Sequence, residues 1–198
     1  MQSMYDRLPG KQIACIDMRS FYASCAAAIE GLDVMRDCIA VVGNLEHKGS
    51  IVLAASPPMK KKFKVKTGTR LFEIPNDPSI FLIKPKMDLY LRMSMEIPRL
   101  LNKYVPMEAI HVYSVDECFF DLSGTEKLWG PIEQTIARIQ VELLEQYQMP
   151  SAVGMGPNML MSKLALDLDA KKLDTRNGLM RTCRKSCGQF LRLVRCGE

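Results

Sequence analysis

The stretch "VYSVDECFFDLSG", Val112 to Gly124, sets two adjacent carboxylates, Asp116 and Glu117, between apolar and aromatic flanks. Flanks rich in Val, Tyr and Phe predict strands over Ala109 to Leu122. An acid buried there without a partner takes up a proton or destabilises the fold. A third acid, Asp17, follows the short apolar run "QIACI". If that run and the hairpin are neighbours in one βαββαβ sheet, three carboxylates converge on one sheet edge and call for a cation. Hard oxygen ligands favour magnesium or manganese over zinc. Two such ions about 3.5–4 Å apart stabilise the attacking and leaving oxygens of phosphoryl or nucleotidyl transfer. The plainer alternative puts Asp116 and Glu117 in a solvated turn, and spacing alone leaves both readings open.

The elements that must carry these acids can be read along the chain. "QIACI" predicts a buried strand, and Ser20 is placed to cap a helix from Phe21 to Ile29 that stops at Gly31. "CIAVVG" and "SIVLAA" predict strands around the turn "NLEHKG"; Pro57 and Pro58 suit the start of a short helix through "MKKKFK". "IFLIK" predicts a further strand. Apolar spacing predicts a helix from Met87 to Tyr104, kinked at Pro98, and another from Ile132 to Tyr147. "SAVGMG" then reads as a strand and Asn158 to Lys171 as a last helix. The order predicts an α+β fold, with helices on one face of a sheet and a small β-rich insertion near residues 32–86.

Composition bounds the rest. A chain of 198 residues, 47% hydrophobic and 25% charged, has the balance of a globular protein with room for a core and a small subdomain. No apolar run reaches the ~20 residues of a membrane helix, and seven unpaired-looking cysteines predict the cytoplasm. The net charge of +5 is concentrated in residues 181–198, which supply +4 of it and three of the seven cysteines. That stretch has no histidine and no CxxC pair for zinc, so it is set aside as an atypical basic tail. His47 and His111 have no neighbouring ligand residues and attract no role.

Three segments, "IDMRSFYASCAAAIE", "YSVDECFFDLSG" and "VGMGPNMLMSKLALDLDAKK…NG", resemble motifs of the Y-family, the DNA-damage-bypass (UmuC-like) DNA polymerases, in the family's order and spacing. The resemblance covers about residues 11–180. It implies a ferredoxin-like palm at 1–31 and 87–180 and fingers at 32–86, with the thumb and little-finger domains outside the chain. It also implies templated nucleotidyl transfer with two magnesium ions, manganese substituting, in DNA repair and an SOS-type response. Asp17, Asp116 and Glu117 match the family's catalytic carboxylates, with the Met18 carbonyl as a further metal ligand. Asp116 would bridge the metals and Glu117 lie nearer the primer 3′-hydroxyl.

Phe21 and Tyr22 match the aromatic pair at the incoming nucleotide, where the Tyr22 ring would exclude a 2′-hydroxyl. Within "KKKFKVK", Lys61 falls where the family has a phosphate-gripping arginine and Pro58 where it has a tyrosine, so the bidentate fork is lost. Lys171 matches the family's phosphate lysine, with Lys172 one residue away, and Lys163 matches another family lysine. Implied partners are a deoxynucleoside triphosphate, primer-template DNA held weakly, and a sliding clamp reached through the missing regions, with no membrane. The rival readings are a nucleotidyl cyclase, which shares the palm fold, and a truncated, non-catalytic repair fragment.

Overall fold

A computed structural model of the chain describes residues 10–170 and the backbone of 181–184. The described residues form two compact units. Among these, the first draws on residues 10–17, 96–143, 151–170 and 181–184, the second on 18–95 and 144–150.

The first unit is built on a five-stranded sheet ordered β5-β6-β1-β7-β8. Its strands are β1 (Ile13–Met18), β5 (Ile110–Val112), β6 (Glu117–Asp121), β7 (Ser151–Gly156) and β8 (Arg181–Arg184). The order of β5, β6, β1 and β7 is that of the predicted βαββαβ palm, with β6 and β1 as central neighbours. β8, in the stretch set aside as a tail, adds a parallel strand beyond β7. Alternation along β1 sorts its residues by face. Ile13 and Cys15 pack with Phe119, Ala152, Leu166 and Ala170, while Ala14 and Ile16 are fully buried. After the short α4 (Glu126–Trp129), helix α5 (Ile132–Tyr147) starts and stops where its apolar spacing predicts, and the side-chain amide of Gln140 ties it to the Ser151 carbonyl at 3.0 Å.

The second unit centres on a three-stranded sheet ordered β3-β2-β4, from β2 (Cys38–Val42), β3 (Val52–Ala55) and β4 (Ile80–Ile83). β2 is buried at every residue because both its faces are covered. Ala23, Ala26 and Ala27 of α1 (Phe21–Glu30) pack on Ile39 and Val41. Met59 of α2 (Pro57–Phe63) packs with Ala40 and Val42. Ser56 caps α2, accepting from the Met59 N–H at 3.4 Å.

Two local expectations are corrected. Ser20 stands at the start of α1 but does not cap it: its backbone is left-handed (φ 48, ψ 46) and its hydroxyl instead accepts from Lys60 Nζ at 3.0 Å. The predicted helix from Met87 to Tyr104 becomes α3 (Met87–Leu101), which runs through Pro98 and then tightens. Lys103 and Tyr104 N–H groups reach back only three residues, to Leu100 and Leu101. Among the described residues no helix is long and apolar enough to cross a membrane.

Beyond α3 the Tyr104 hydroxyl donates to Glu142 Oε1 at 2.5 Å, and Lys103 Nζ lies 3.1 Å from Oε2. The Tyr104 bond and then Lys103 hold the Glu142 carboxyl below the ordinary range, against its partial burial. A depressed carboxyl contributes stability above its unfolded pKa, and that contribution is lost as pH falls through the folded one. Tyr104→Phe should therefore cost about 1.5 kcal/mol at pH 7. The difference between the two melting curves should close in acid, below the folded pKa of Glu142. A constant difference down to acid unfolding would show that the bond is not to a carboxylate.

Candidate active site

The hairpin resolves how two neighbouring acids can serve one place. β5 stops at Val112 and β6 starts at Glu117, so Asp116 belongs to the turn and Glu117 to the strand. The turn is fastened by Tyr113 and Ser114 N–H groups, both donating to the Glu117 carbonyl, at 2.9 and 3.1 Å. Ser114 Oγ donates to Asp116 Oδ1 at 2.9 Å, which orients that carboxylate.

Across the sheet, β1 runs antiparallel to β6 with Asp17 directly opposite Glu117. Opposed residues share a face with Cβ atoms about 4.5–5.5 Å apart, and like charges so placed repel. Glu117 is only 6% exposed. Its Oε1 accepts from Lys163 Nζ at 2.5 Å and from the Cys15 thiol at 3.1 Å. Burial, then the bond to Glu117, pushes the Cys15 thiol well above its ordinary range; burial, then Glu117 and Asp116, pushes Cys118 up to about 12. Both thiols stay protonated, and Cys15 is therefore a donor to the carboxylate.

Lys163 comes from α6 (Met159–Ala165), which continues as a π-helical turn, Leu166–Ala170. Asn158 caps α6, accepting from the Met161 N–H at 2.9 Å. The helix lies on β7 so closely that a Cβ on Gly154 would overlap the Ser162 carbonyl oxygen and the Leu166 nitrogen. One on Gly156 would stand 2.6 Å from the Ser162 nitrogen. These two glycines set the distance from which Lys163 reaches Glu117.

Among the described residues no group of three or more His, Cys, Asp or Glu side chains is gathered closely enough to hold a metal ion. By the chemistry of its donors, the set of acids nevertheless suits a hard divalent cation. It offers oxygen donors on Asp17, Asp116 and Glu117, two of them opposed across neighbouring strands, with one ammonium beside them.

The other predicted residues divide as follows. Met18 is the last residue of β1. Phe21, Tyr22 and Lys61 belong to the second unit. Phe21 is buried, Tyr22 is half-buried, and the Tyr22 ring lies 4.4 Å from that of Tyr90. Lys61 lines an open cleft of about 670 Å³ with Arg36, Lys62, Pro58, Ser79 and Phe81. Lys171 and its alternative Lys172 lie outside the described residues. Sequence reasoning missed Cys15 and Ser114. The signals were there: Cys15 is two residues before Asp17 on one strand, and Ser114 two residues before Asp116.

Comparison with known proteins agrees with the motifs. Residues 16–167 match the impB/mucB/samB family. UvrX of Bacillus subtilis (strain 168) is 46% identical over 177 residues, which cover 89% of this chain and 41% of UvrX. The DNA repair protein homolog YozK of the same organism is 50% identical over 112 residues, 57% of this chain and 97% of YozK. Its DNA polymerase IV 2 is 35% identical over 170 residues, 85% of this chain and 40% of that polymerase. This chain thus spans about two fifths of UvrX and of polymerase IV 2. A Y-family DNA polymerase chimera of Dbh and Dpo4 shares the fold with a TM-score of 0.71 at 22% identity, over 92% of this chain and 51% of the chimera. DinB from Sulfolobus solfataricus does so with a TM-score of 0.67 at 23% identity, over 87% of this chain and 48% of its own.

Proposed function

This chain belongs to the impB/mucB/samB family, and from that premise we propose that it is the palm and fingers of a Y-family DNA polymerase that copies damaged templates. The observation that carries the reading is Asp17 opposite Glu117 across β1 and β6, with Asp116 in the adjoining turn. Asp17, Asp116 and Glu117, with the Met18 carbonyl, would hold two magnesium ions, or manganese in their place. Bound there, such ions activate a primer 3′-hydroxyl and neutralise the leaving pyrophosphate. Ser114 and Cys15 orient the Asp116 and Glu117 carboxylates for that task.

In this reading residues 1–31 and 87–180 are palm and 32–86 fingers. Tyr22 packs beneath the nucleotide sugar and excludes a 2′-hydroxyl, beside Phe21. Lys61 and Lys171 neutralise triphosphate oxygens as point charges, without the bidentate hold of an arginine. Primer-template DNA is the substrate, held weakly by this portion, a sliding clamp is reached through regions outside it, and the setting is an SOS-type response in the cytoplasm. The buried free thiols of Cys15, Cys25, Cys38 and Cys118 support a reducing compartment.

Metal-dependent nucleotide binding tests the reading. The chain should bind a fluorescent deoxynucleoside triphosphate in manganese and lose it to chelator. Asp116→Asn, which removes a charge at constant volume, should weaken that binding by about 10–100-fold, the range that loss of even an outer-shell partner brings. Equal manganese-dependent binding by parent and variant would rule out the metal assignment. The match to nearly the whole of YozK favours a second reading, a repair protein that binds without polymerising. Incorporation of a deoxynucleotide into a primer separates the two.

A further inference from the structure

Lys163 is placed between two carboxylates of different character. Its ammonium is 2.5 Å from Oε1 of Glu117, whose side chain is 7% exposed, and 3.5 Å from Oδ2 of Asp167, whose side chain is 42% exposed. Asp167 follows Lys163 by four residues, so the second pairing is local to one helix face and survives any change at Glu117. The backbone that carries Lys163 is pinned on β7 by the close approach at Gly154 and Gly156. What can move is the side chain, a point charge on a flexible four-carbon stem.

Glu117 needs a positive charge at all times. It is buried, and Asp17 stands opposite it on the neighbouring strand. A buried carboxylate without a counter-charge is strongly destabilising, and salt screens such a site poorly. The Cys15 thiol gives a hydrogen bond but no charge. Lys163 supplies the charge, and it does so on Oε1 of a carboxylate that the proposed reading gives to a divalent cation. An ammonium and a dication on the same carboxylate repel each other, so the two are in competition.

We propose that Lys163 is the acidic centre's own counter-cation, holding Glu117 until a divalent ion arrives and then passing its ammonium to Asp167. The inference rests on the reading that Asp17, Asp116 and Glu117 hold a divalent cation. It goes beyond that reading in making Lys163 a positioning residue that sets metal affinity by exchange. The empty centre stays folded because Lys163 is there, and metal binding is weakened for the same reason.

The test is manganese binding by the full chain, followed by electron paramagnetic resonance of the free ion, with thermal melting in chelator alongside. Lys163→Met should bind manganese at least ten times more tightly than the parent. It should melt lower than the parent in chelator and recover when manganese is added. Lys163→Arg, which keeps a charge, should stay within about threefold of the parent in affinity. Asp167→Asn should weaken manganese binding at least threefold when Lys163 is present and leave it unchanged in the Lys163→Met background. A merely structural Lys163 would lower affinity or leave it alone.

Parent-like or weaker manganese binding by Lys163→Met, with the parent binding normally, overturns the exchange while leaving the metal site intact. So does an Asp167→Asn effect of equal size in both backgrounds. Failure of the parent itself to bind manganese at millimolar concentration overturns the metal site and the exchange together. If Lys163→Met does not fold, the Asp167→Asn measurement decides. Asp167 is exposed enough to replace safely, and an affinity unchanged or increased in that variant overturns the proposal.

Discussion

The Asp17→Asn chain should bind manganese at least tenfold more weakly than the parent and yet melt no lower in chelator. Asparagine keeps the volume and the β1 backbone but removes the charge that faces Glu117. Like charges directly opposite on neighbouring strands oppose folding, and Lys163 continues to neutralise Glu117 in the variant. On the proposed reading Asp17 is kept for metal, and its loss is expected to cost metal binding more than stability. Manganese titration and a melting curve, taken on one preparation, read both quantities. Undiminished manganese binding would remove Asp17 from the site. A melting point lowered by more than about 5 °C would mean that Asp17 serves the fold, since that shift is roughly 1–2 kcal/mol for a chain of this size.

Among the described glycines, Gly154→Ala should be the most damaging substitution by a single methyl. The added carbon meets the backbone of α6 at Ser162 and of the following turn at Leu166, atoms that no rotamer change can move aside. Overpacking against backbone costs about 3 kcal/mol or more, a large part of the 5–15 kcal/mol that holds a typical domain together. The melting temperature should fall by about 6–12 °C. Gly10→Ala, where the same carbon meets nothing within 4 Å, is the control and should change stability by less than about 0.5 kcal/mol. Equal melting of the Gly154→Ala chain and the parent would show that α6 rides further from β7 than the structure places it.

Much of this architecture is legible in the sequence because its elements are locally consistent. Helix α5 has Pro131 before it, apolar spacing within it, and Gln148 in a left-handed conformation after it. β2 is a continuous apolar run, as a strand covered on both faces must be. That Asp17 and the hairpin would be neighbours was legible from the βαββαβ order, while a shared role for the three acids rested on the resemblance of the motifs. What stayed hidden depends on contacts between distant segments. Nothing in "MSKLA" says that Lys163 meets a carboxylate 46 residues earlier. "SAVGMG" reads as a strand, but its glycines make sense only once a helix lies across them. Ser20 looked like a cap by type and position, and the left-handed turn at the start of α1 sends its hydroxyl to Lys60 instead.

The pairing of β1 with β6 joins residues one hundred positions apart, Asp17 to Glu117. During synthesis the three strands of the second unit, within residues 38–83, are complete while β1 still waits for its partner. At about 5–20 residues per second, that wait lasts several seconds. Through it "IACI" is a bare apolar edge, the kind of segment that chaperones shield and that misfolded chains share. Closing so long a loop is also slow, since its entropy is lost before the pairing returns anything. The opposition of Asp17 and Glu117 therefore cannot form on a nascent chain until about a hundred residues beyond β1 have been made.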